Sequence, residues 1–175
     1  MSDTTNEKKD KVKRFKKKKS FSSSYWLEKI VEIKRVTKVV KGGKNLSFRA
    51  LVIIGNEKKG YVGVGMGKAK DVASAVKKGL LNAKKNLISV PLTQSSTIPY
   101  STDAKFGASK VLIKPASAGS GLISGSSSRI VLELAGVKNI VTKQLGSKNR
   151  LNNARATVLA LKKLQDPDRI LLNRF

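Results

Sequence analysis

The alternation of apolar and polar residues predicts a β-hairpin near the start of the chain. Residues 46–54 alternate between apolar and polar side chains as far as Arg49 and are apolar without interruption from Ala50. This pattern predicts a strand with one wet face that becomes buried on both faces. Residues 29–40 also alternate but shift phase before Val36, which indicates a bulge or two short strands. Gly42-Gly43 lies between the runs and suits a tight turn, because glycine adopts positive φ at little steric cost.

A three-stranded antiparallel meander followed by a helix is predicted for residues 25–91. Residues 55–60 form a second turn, and residues 61–66 provide a third apolar run. Apolar residues recur at spacings of three and four over residues 71–90 and predict an amphipathic helix. Asp71 is a candidate N-cap, and Pro91 ends the helix. The first unit is therefore predicted as β-β-β-α, with one helix covering one face of the sheet.

The second half of the chain predicts an α/β unit. Residues 92–106 form a connector with one short strand, residues 110–114 form a strand that ends at Pro115, and residues 115–128 form an irregular loop rich in Ser and Gly. A short helix at 129–135, a strand at 139–144 and a helix at 151–164 follow. We divide the chain into a disordered basic arm (1–24), two folded domains (25–91 and 92–165) and a C-terminal tail (166–175).

Charge identifies the class of partner. The 175 residues contain 37 Lys+Arg and 11 Asp+Glu, for a formal net charge of +26, and basic residues are in excess in every segment. Self-repulsion of this size is costly unless a polyanion is nearby, so nucleic acid is the first partner class and an anionic membrane surface a weaker second. No apolar run reaches the roughly 18 residues of a membrane-spanning helix. The basic arm is expected to order on RNA, with a solubilising tail as the alternative.

Several kinds of chemistry are excluded by composition. The chain has no cysteine and no histidine, so it lacks thiol nucleophiles, imidazole bases and the usual zinc ligands. The run GVGMGKAK at residues 63–70 resembles a nucleotide-binding loop, but Val62 and Ala69 stand where a P-loop needs Gly and Ser or Thr. We therefore predict no enzyme activity, cofactor, metal or small-molecule substrate. A nucleotide-hydrolysing enzyme is the disfavoured alternative.

Two lysine pairs are candidates for binding RNA phosphates. Lys41 and Lys44 flank the predicted hairpin turn and would be held out on a stiff support. Lys68 and Lys70 precede the predicted helix, whose N-terminal amides already favour phosphate. In each case the alternative is a pair of solvated lysines, which is common at hairpin ends and helix starts.

Five segments together resemble the small-subunit ribosomal protein S5 family of the bacterial or plastid type. The resemblance covers residues 25–164 in order and rests on WLEKIVEIKRVTKVVKGGKNLSFRALVIIGN, GYVGVGMGKAK, KFGASKVLIKPASAGSGLISG, RIVLELAGVKNIVTKQLGS and NNARATVLALKKL. It implies an α+β protein with an N-terminal domain similar to the double-stranded-RNA-binding fold without its first helix. It also implies a C-terminal domain with a left-handed β-α-β crossover, against the usual right-handed rule. The family often has Gly-Gly where this chain has Gly125-Ser126, and proline is usual near Arg150.

The resemblance also implies a function. Such proteins are structural constituents of the small ribosomal subunit that bind 16S rRNA, support assembly and translational accuracy, contact ribosomal proteins S4 and S8, and lie near the point where mRNA enters. Changes in the hairpin loop are linked to spectinomycin resistance. The expected location is the ribosome of the chloroplast stroma or of the bacterial cytoplasm. A free double-stranded-RNA-binding regulator or RNA chaperone is the alternative.

The candidate contacts fall into two groups. Residues expected to contact rRNA are Lys38, Lys41, Gly42, Gly43, Lys44, Arg49, Lys68, Lys70, Lys114, Ser117, Arg129 and Lys148. The resemblance places the segment linked to the S4 contact and to fidelity near residues 107–114, with Gly107, Ser109 and Lys110 as candidates for the protein contact.

Overall fold

The computed structural model describes residues 26–164, and the predicted basic arm and C-terminal tail lie outside them. The described residues form two four-stranded sheets and three helices. The first sheet is antiparallel, with the strand order β1-β2-β3-β4. Its elements are β1 (Leu27–Val40), β2 (Gly43–Asn56), β3 (Tyr61–Ala69), α1 (Val72–Lys85) and β4 (Leu87–Ser89).

The second sheet has the strand order β5-β6-β8-β7, and β7 runs parallel to β8. Its elements are β5 (Thr102–Phe106), β6 (Ser109–Pro115), β7 (Leu122–Ile123), α2 (Ser126–Leu134), β8 (Ile140–Gly146) and α3 (Arg150–Lys162). The predicted α+β class is confirmed, and α2 links two parallel strands in a β-α-β unit. The left-handed sense of this crossover stays a prediction. No helix within residues 26–164 is long and apolar enough to cross a membrane.

The predicted hairpin is present, but its turn lies one residue earlier than expected. Val40 pairs with Gly43, so the two-residue loop is Lys41-Gly42 and Gly43 is the first residue of β2. Gly42 has φ +87°, whereas Lys41 and Gly43 have no positive φ. This sign pattern is that of a type II turn, in which the third residue must be left-handed. Gly42 therefore makes the turn.

The hairpin extends beyond the rest of the first sheet as a two-stranded finger, defined here as residues 36–47. The last residue of β3, Ala69, pairs with Phe48, so no third strand supports the hairpin past that point. All of 50–56 is buried, which confirms the predicted burial on both faces, but residues 41–46 are exposed and Leu46 is 52% exposed. The bulge in β1 lies at Val31, between Ile30 and Glu32, which is earlier than the phase shift suggested.

Each face of β2 packs against a different part of the chain. Ala50 and Val52 contact α1 in a small cluster around Ala75. Leu51 and Ile53 face the other way and join one large core with the apolar residues of α2, α3 and the second sheet. The ion pair between Lys29 Nζ in β1 and Glu133 Oε1 in α2, at 2.6 Å, lies on that same side. The second half of the chain therefore acts as the second layer over the first sheet.

Helix α1 ends earlier than its apolar period predicted. The prediction of a helix to residue 90 is wrong, because α1 stops at Lys85 and Leu87–Ser89 forms β4. Strand β4 pairs with Tyr61–Gly63 of β3, so tertiary pairing overrides a helical spacing that Leu87 happens to satisfy. Asp71 does occupy the N-cap position, but its side chain makes no capping hydrogen bond.

The second half also differs from the predicted boundaries. Helix α2 begins at Ser126 rather than at residue 129, because Ser127 and Ser128 are buried inside the core although their composition suggested a loop. Residues 122–123 form the short strand β7 in the same predicted loop. Helix α3 begins at Arg150, where Asn149 Oδ1 accepts a hydrogen bond from the Leu151 amide at 3.1 Å and caps the helix.

A buried polar network fixes α3 against α2 and β8. Ser128 Oγ lies 2.8 Å from Thr157 Oγ1 and 2.6 Å from its donor Gln144 Nε2. Thr157 Oγ1 also lies 2.8 Å from the carbonyl of Asn153 in α3. Because buried hydroxyl and amide groups are costly without partners, such a network favours a single arrangement of the elements that carry it.

The three glycines of the run at residues 63–67 allow α1 to lie directly on β3. A side chain on Gly65 would strike the carbonyl of Gly79 and the backbone of Ala83, and one on Gly63 or Gly67 would meet α1 in the same way. The helix presents Ala75, Gly79 and Ala83 to the strand, all of them buried. The alternate glycines are therefore explained by close packing between strand and helix.

We predict that Gly65→Ala destabilises the protein by about 1–3 kcal/mol or more, because the added methyl group overlaps backbone atoms of α1. Urea denaturation followed by circular dichroism measures the change in the free energy of unfolding. Gly43→Ala is the matched control, since a Cβ there meets no atom within 4 Å and should change stability by less than about 0.5 kcal/mol. Equal effects of the two substitutions would contradict the packing account.

Candidate nucleic-acid interface

The finger carries exposed lysines on both of its faces and at its tip. Lys41 lies in the turn. Lys38 is opposite Asn45 and Lys44 is opposite Val39, and these two pairs point to opposite faces of the hairpin. Gly42 and Gly43 have open space around their Cα atoms. The structure therefore brings the five predicted residues of the hairpin together at the end of a projecting element.

A row of three cations crosses the first sheet at the base of the finger. Lys34 in β1 is directly opposite Arg49 in β2, and Arg49 is directly opposite Lys68 in β3. Directly opposed residues share a face of the sheet, so the three side chains lie side by side. We call Lys34, Arg49 and Lys68 the cationic row. Sequence reasoning identified Arg49 and Lys68 separately and missed Lys34, because only the strand register reveals the alignment.

The cationic row lies on the face of the sheet that the second domain covers, just beyond the covered part. Its neighbours along β2 on this face, Leu51 and Ile53, are buried in the large core, whereas Arg49 is only half-buried. Glu32 Oε1 lies 3.1 Å from Lys34 Nζ and 3.9 Å from Arg150 Nη1 at the start of α3. The Glu32 side chain is only 16% exposed, so this carboxylate connects the base of the finger to α3.

The row carries unbalanced positive charge. Neither Arg49 nor Lys68 forms an ion pair with any residue from 26 to 164. Like charges placed directly opposite each other destabilise a sheet, so their juxtaposition costs free energy in the isolated protein. An anion bound across the row would remove that cost.

Lys68 and Lys70 lie on different elements, and phosphate binding by this pair at the start of the helix stays a prediction. Lys68 belongs to β3 and to the cationic row, while Lys70 lies exposed between β3 and α1. The N-cap position of α1 is occupied by the acidic residue Asp71. The arrangement favours an anion on the face of the sheet over one at the helix N-terminus.

The four remaining rRNA candidates lie on the second domain, on separate elements. Lys114 is exposed near the end of β6, and Ser117 lies in the following loop, where its Oγ is 2.8 Å from Ser120 Oγ. Arg129 in α2 donates from Nη2 to the Leu122 carbonyl at 3.0 Å, and Lys148 is exposed before α3. No hydrogen bond or ion pair within residues 26–164 joins them to the cationic row.

The three candidates for a protein contact lie around the turn between β5 and β6. Gly107 has φ +59° in this turn, and Lys110 is exposed beyond it. The Ser109 side chain is fully buried, and its Oγ has no hydrogen-bond partner among the described residues, so it does not reach the surface. Lys110 Nζ lies 3.1 Å from Asp103 Oδ2. The hydrogen bond and the charge of Lys110 hold the pKa of Asp103 below its usual value.

Comparison with known protein families agrees with the fold. The model described as Ribosomal protein S5, N-terminal domain, matches residues 26–91, and the one described as Ribosomal protein S5, C-terminal domain, matches residues 104–174. The two matches together include the finger, the cationic row and all of the second sheet except the first two residues of β5.

Individual relatives are similar along most of their length. The small ribosomal subunit protein uS5c of Gracilaria tenuistipitata var. liui is 59% identical over 149 residues, which are 85% of this chain and 86% of the relative. The protein of the same name from Cyanidium caldarium is 59% identical over 139 residues, 79% of this chain and 82% of the relative. The small ribosomal subunit protein uS5 of Nostoc punctiforme is 54% identical over 159 residues, 91% of this chain and 88% of the relative. These matches confirm the resemblance, and the chain belongs to the ribosomal protein S5 family, whose members are structural constituents of the small ribosomal subunit and not enzymes.

Proposed function

We propose that this protein binds 16S rRNA as a structural component of the small ribosomal subunit and supports subunit assembly and translational accuracy. The observation that carries the proposal is the cationic row at the base of a lysine-tipped finger. Family membership supports the ribosomal setting, and the row and the finger supply surfaces on which rRNA can bind.

The row suits the phosphate backbone of an RNA strand. Neighbouring strands lie about 4.8 Å apart, so three side chains in line across β1, β2 and β3 span roughly 10 Å. Arg49 offers a planar group that can bind one phosphate through two hydrogen bonds, and Lys34 and Lys68 add flexible point charges on either side. Contacts of this kind position a protein on RNA and carry little sequence information.

The finger extends the same surface. It is a regular two-stranded hairpin closed by one tight turn, and at its base β2 continues into residues 50–56, which are all buried. Lys38, Lys41 and Lys44 are therefore carried at a fixed distance from the core. We propose that this tip probes rRNA near the decoding region, which would account for an effect on accuracy and on the response to spectinomycin.

The second domain is proposed to hold the protein contacts. Gly107 and Lys110 are exposed beside a turn, and contact there with ribosomal protein S4 agrees with the family resemblance. A contact with ribosomal protein S8 and a position near the point where mRNA enters are proposed from the same resemblance. The relatives come from plastids and cyanobacteria, so we place the protein in the small ribosomal subunit of the chloroplast stroma or of a bacterial cytoplasm. A free regulator of double-stranded RNA would instead sediment apart from ribosomes in a sucrose gradient.

We predict a steep salt dependence of binding to small-subunit rRNA. If about eight phosphates are neutralised, the slope of log K against log[salt] is near −7. Replacing Lys34, Arg49 and Lys68 by glutamine should make the slope shallower by about 2 to 3, because each phosphate contact contributes nearly one unit. Filter binding over a range of salt concentrations measures both slopes.

A matched control removes the same charge elsewhere. Lys77, Lys78 and Lys84 on the exposed side of α1 are replaced by glutamine in a second triple variant. Net charge falls equally in the two proteins, so an equal reduction in slope would show that only total charge matters. A wild-type slope near zero would contradict rRNA binding itself.

We predict that replacing Lys41 and Lys44 by alanine alters miscoding or the response to spectinomycin while leaving folding intact. Both side chains are exposed, so the free energy of unfolding should change by less than about 0.5 kcal/mol. A stop-codon readthrough reporter in cells whose small subunits carry the variant measures accuracy. Thr37→Ala, also exposed on the finger, is the control. Normal assembly with unchanged accuracy and drug response would leave the finger without a role in decoding.

A further inference from the structure

A groove at the junction of the two domains has side-chain chemistry that the finger and the cationic row do not use. Strand β4 pairs only with Tyr61–Gly63, so the edge of β3 beyond Gly63 is open toward α3. Two adjoining cavities of about 290 and 320 Å³ lie along α3 and share Leu159 as a lining residue. We call these two cavities together the junction groove.

The first cavity contains a cationic side chain next to an aromatic ring. The Arg155 guanidinium carbon in α3 lies 5.3 Å from the centre of the Phe106 ring, a cation–π contact. The guanidinium therefore lies close to the ring, and Arg155 also lines the cavity. Asn82 and Asn86 of α1 line the cavity as well. Asn82 Nδ2 donates to the Met66 carbonyl and Asn86 Nδ2 donates to Asn82 Oδ1, both at 3.2 Å, so these amides are held in place.

The second cavity is lined by lysines. Lys105 of β5 and Lys162 and Lys163 at the end of α3 surround it, and all three are exposed. The nearby carboxylate of Asp103 is paired with Lys110 at 3.1 Å, and Lys163 Nζ donates to the Asp103 backbone carbonyl at 2.9 Å. The Asp103 carboxylate is thus paired with Lys110, and the lysines lining the second cavity and Arg155 in the first give the groove a net positive charge.

We propose that the junction groove binds an unpaired stretch of RNA, with one base stacked on Arg155 and the adjacent phosphates held by Lys105, Lys162 and Lys163. Protein recognition of single-stranded RNA combines these two elements: a planar side chain on which a base stacks and a positively charged groove that follows the backbone. The asparagine amides supply polar atoms for the edge of the base. This inference rests on the proposed function, since rRNA supplies the strand, but it concerns a surface separate from the cationic row.

The shape of the groove favours RNA over an acidic protein segment. A carboxylate-rich peptide could form ion pairs with the lysines and with Arg155, but it has no planar heterocycle to pack against the guanidinium and the apolar lining of the first cavity. The first cavity is near the lower end of the size range of small-molecule sites, which suits a single heterocycle. The cavity that contains Arg155 and the cavity lined by lysines adjoin at Leu159, so a base and its neighbouring phosphates could lie side by side.

Cleavage of rRNA by an iron chelator attached to the protein can identify what lies in the groove within the assembled small subunit. Because the chain has no cysteine, Asn86→Cys introduces a single attachment point for an iron chelator at the edge of the first cavity. Val39→Cys, on the finger, is the reference probe. We expect the Asn86→Cys probe to cut an unpaired stretch of rRNA different from the sites cut from Val39→Cys.

The outcomes separate the two proposals. If the Val39→Cys probe cuts rRNA and the Asn86→Cys probe cuts none, the groove proposal is overturned while the proposed function stands. Cleavage of a neighbouring protein alone from Asn86→Cys would show a protein occupant and overturn it as well. If neither probe cuts rRNA, both proposals fail.

Two substitutions at Arg155 test the stacking directly. Arg155→Ala should weaken binding to small-subunit rRNA by about fivefold to 150-fold, the range found when a base loses its stacking partner. Arg155→Lys keeps the charge but not the plane, so we expect a comparable loss with an unchanged salt slope. Full recovery of affinity in Arg155→Lys would show a simple phosphate contact and overturn the stacked base. Circular dichroism melting of each variant checks that loss of the Phe106 contact has not unfolded the protein.

Discussion

Burial of β2 on both faces is the constraint on which the rest of the structure depends. Ala50 and Val52 are packed under α1, while Leu51 and Ile53 are packed under the second domain, so neither face of the strand is available to solvent. A slip of one residue would exchange these two sets of side chains between the faces of the strand. One face packs in the small cluster with α1 and the other in the large core, so the two sets are not interchangeable. Because the slip is excluded, Arg49 is fixed opposite Lys34 and Lys68. The alignment of the cationic row is thus a consequence of apolar packing further along the same strand.

The same constraint explains how the protein tolerates its charge. Three cations in line repel each other, and the carboxylate of Glu32 compensates only the Lys34 end. A shift in register cannot relieve the repulsion, so it remains in the free protein, and an anion bound across the row would reduce it. The glycines of β3 contribute from the other side, since the close approach of α1 holds β3, and with it Lys68, against β2. Apolar packing and close helix–strand contact at small residues therefore hold the three cations of the row together, although their charges repel each other.

The elements that could be predicted from sequence were those with a local signal. The hairpin, the strand buried on both faces, α1 and α3 all follow from periodicity and turn residues. Strand β4 could not be predicted, because Leu87 satisfies the helical period. Only pairing with β3 distinguishes a strand from a continued helix at this position. Lys34 was missed because a cationic row is a property of register between distant strands. The buried start of α2 was missed because Ser127 and Ser128 find their environment in the core, whereas a Ser-rich composition is typical of loops.

The large core also relates the two proposed binding surfaces to each other. The cationic row belongs to the first sheet and the junction groove is formed mainly by α3 and β5, yet both are attached to the same continuous core. Glu32 adds a direct link, since it lies between Lys34 of the row and Arg150 at the start of α3. When two sites are held at a fixed separation, binding at one makes binding at the other intramolecular and avoids most of its entropic cost. An RNA whose fold matches that separation is therefore favoured over one that offers the same phosphates and bases in a different arrangement. In this way, surfaces that make few base-specific contacts can still select one site on a large RNA.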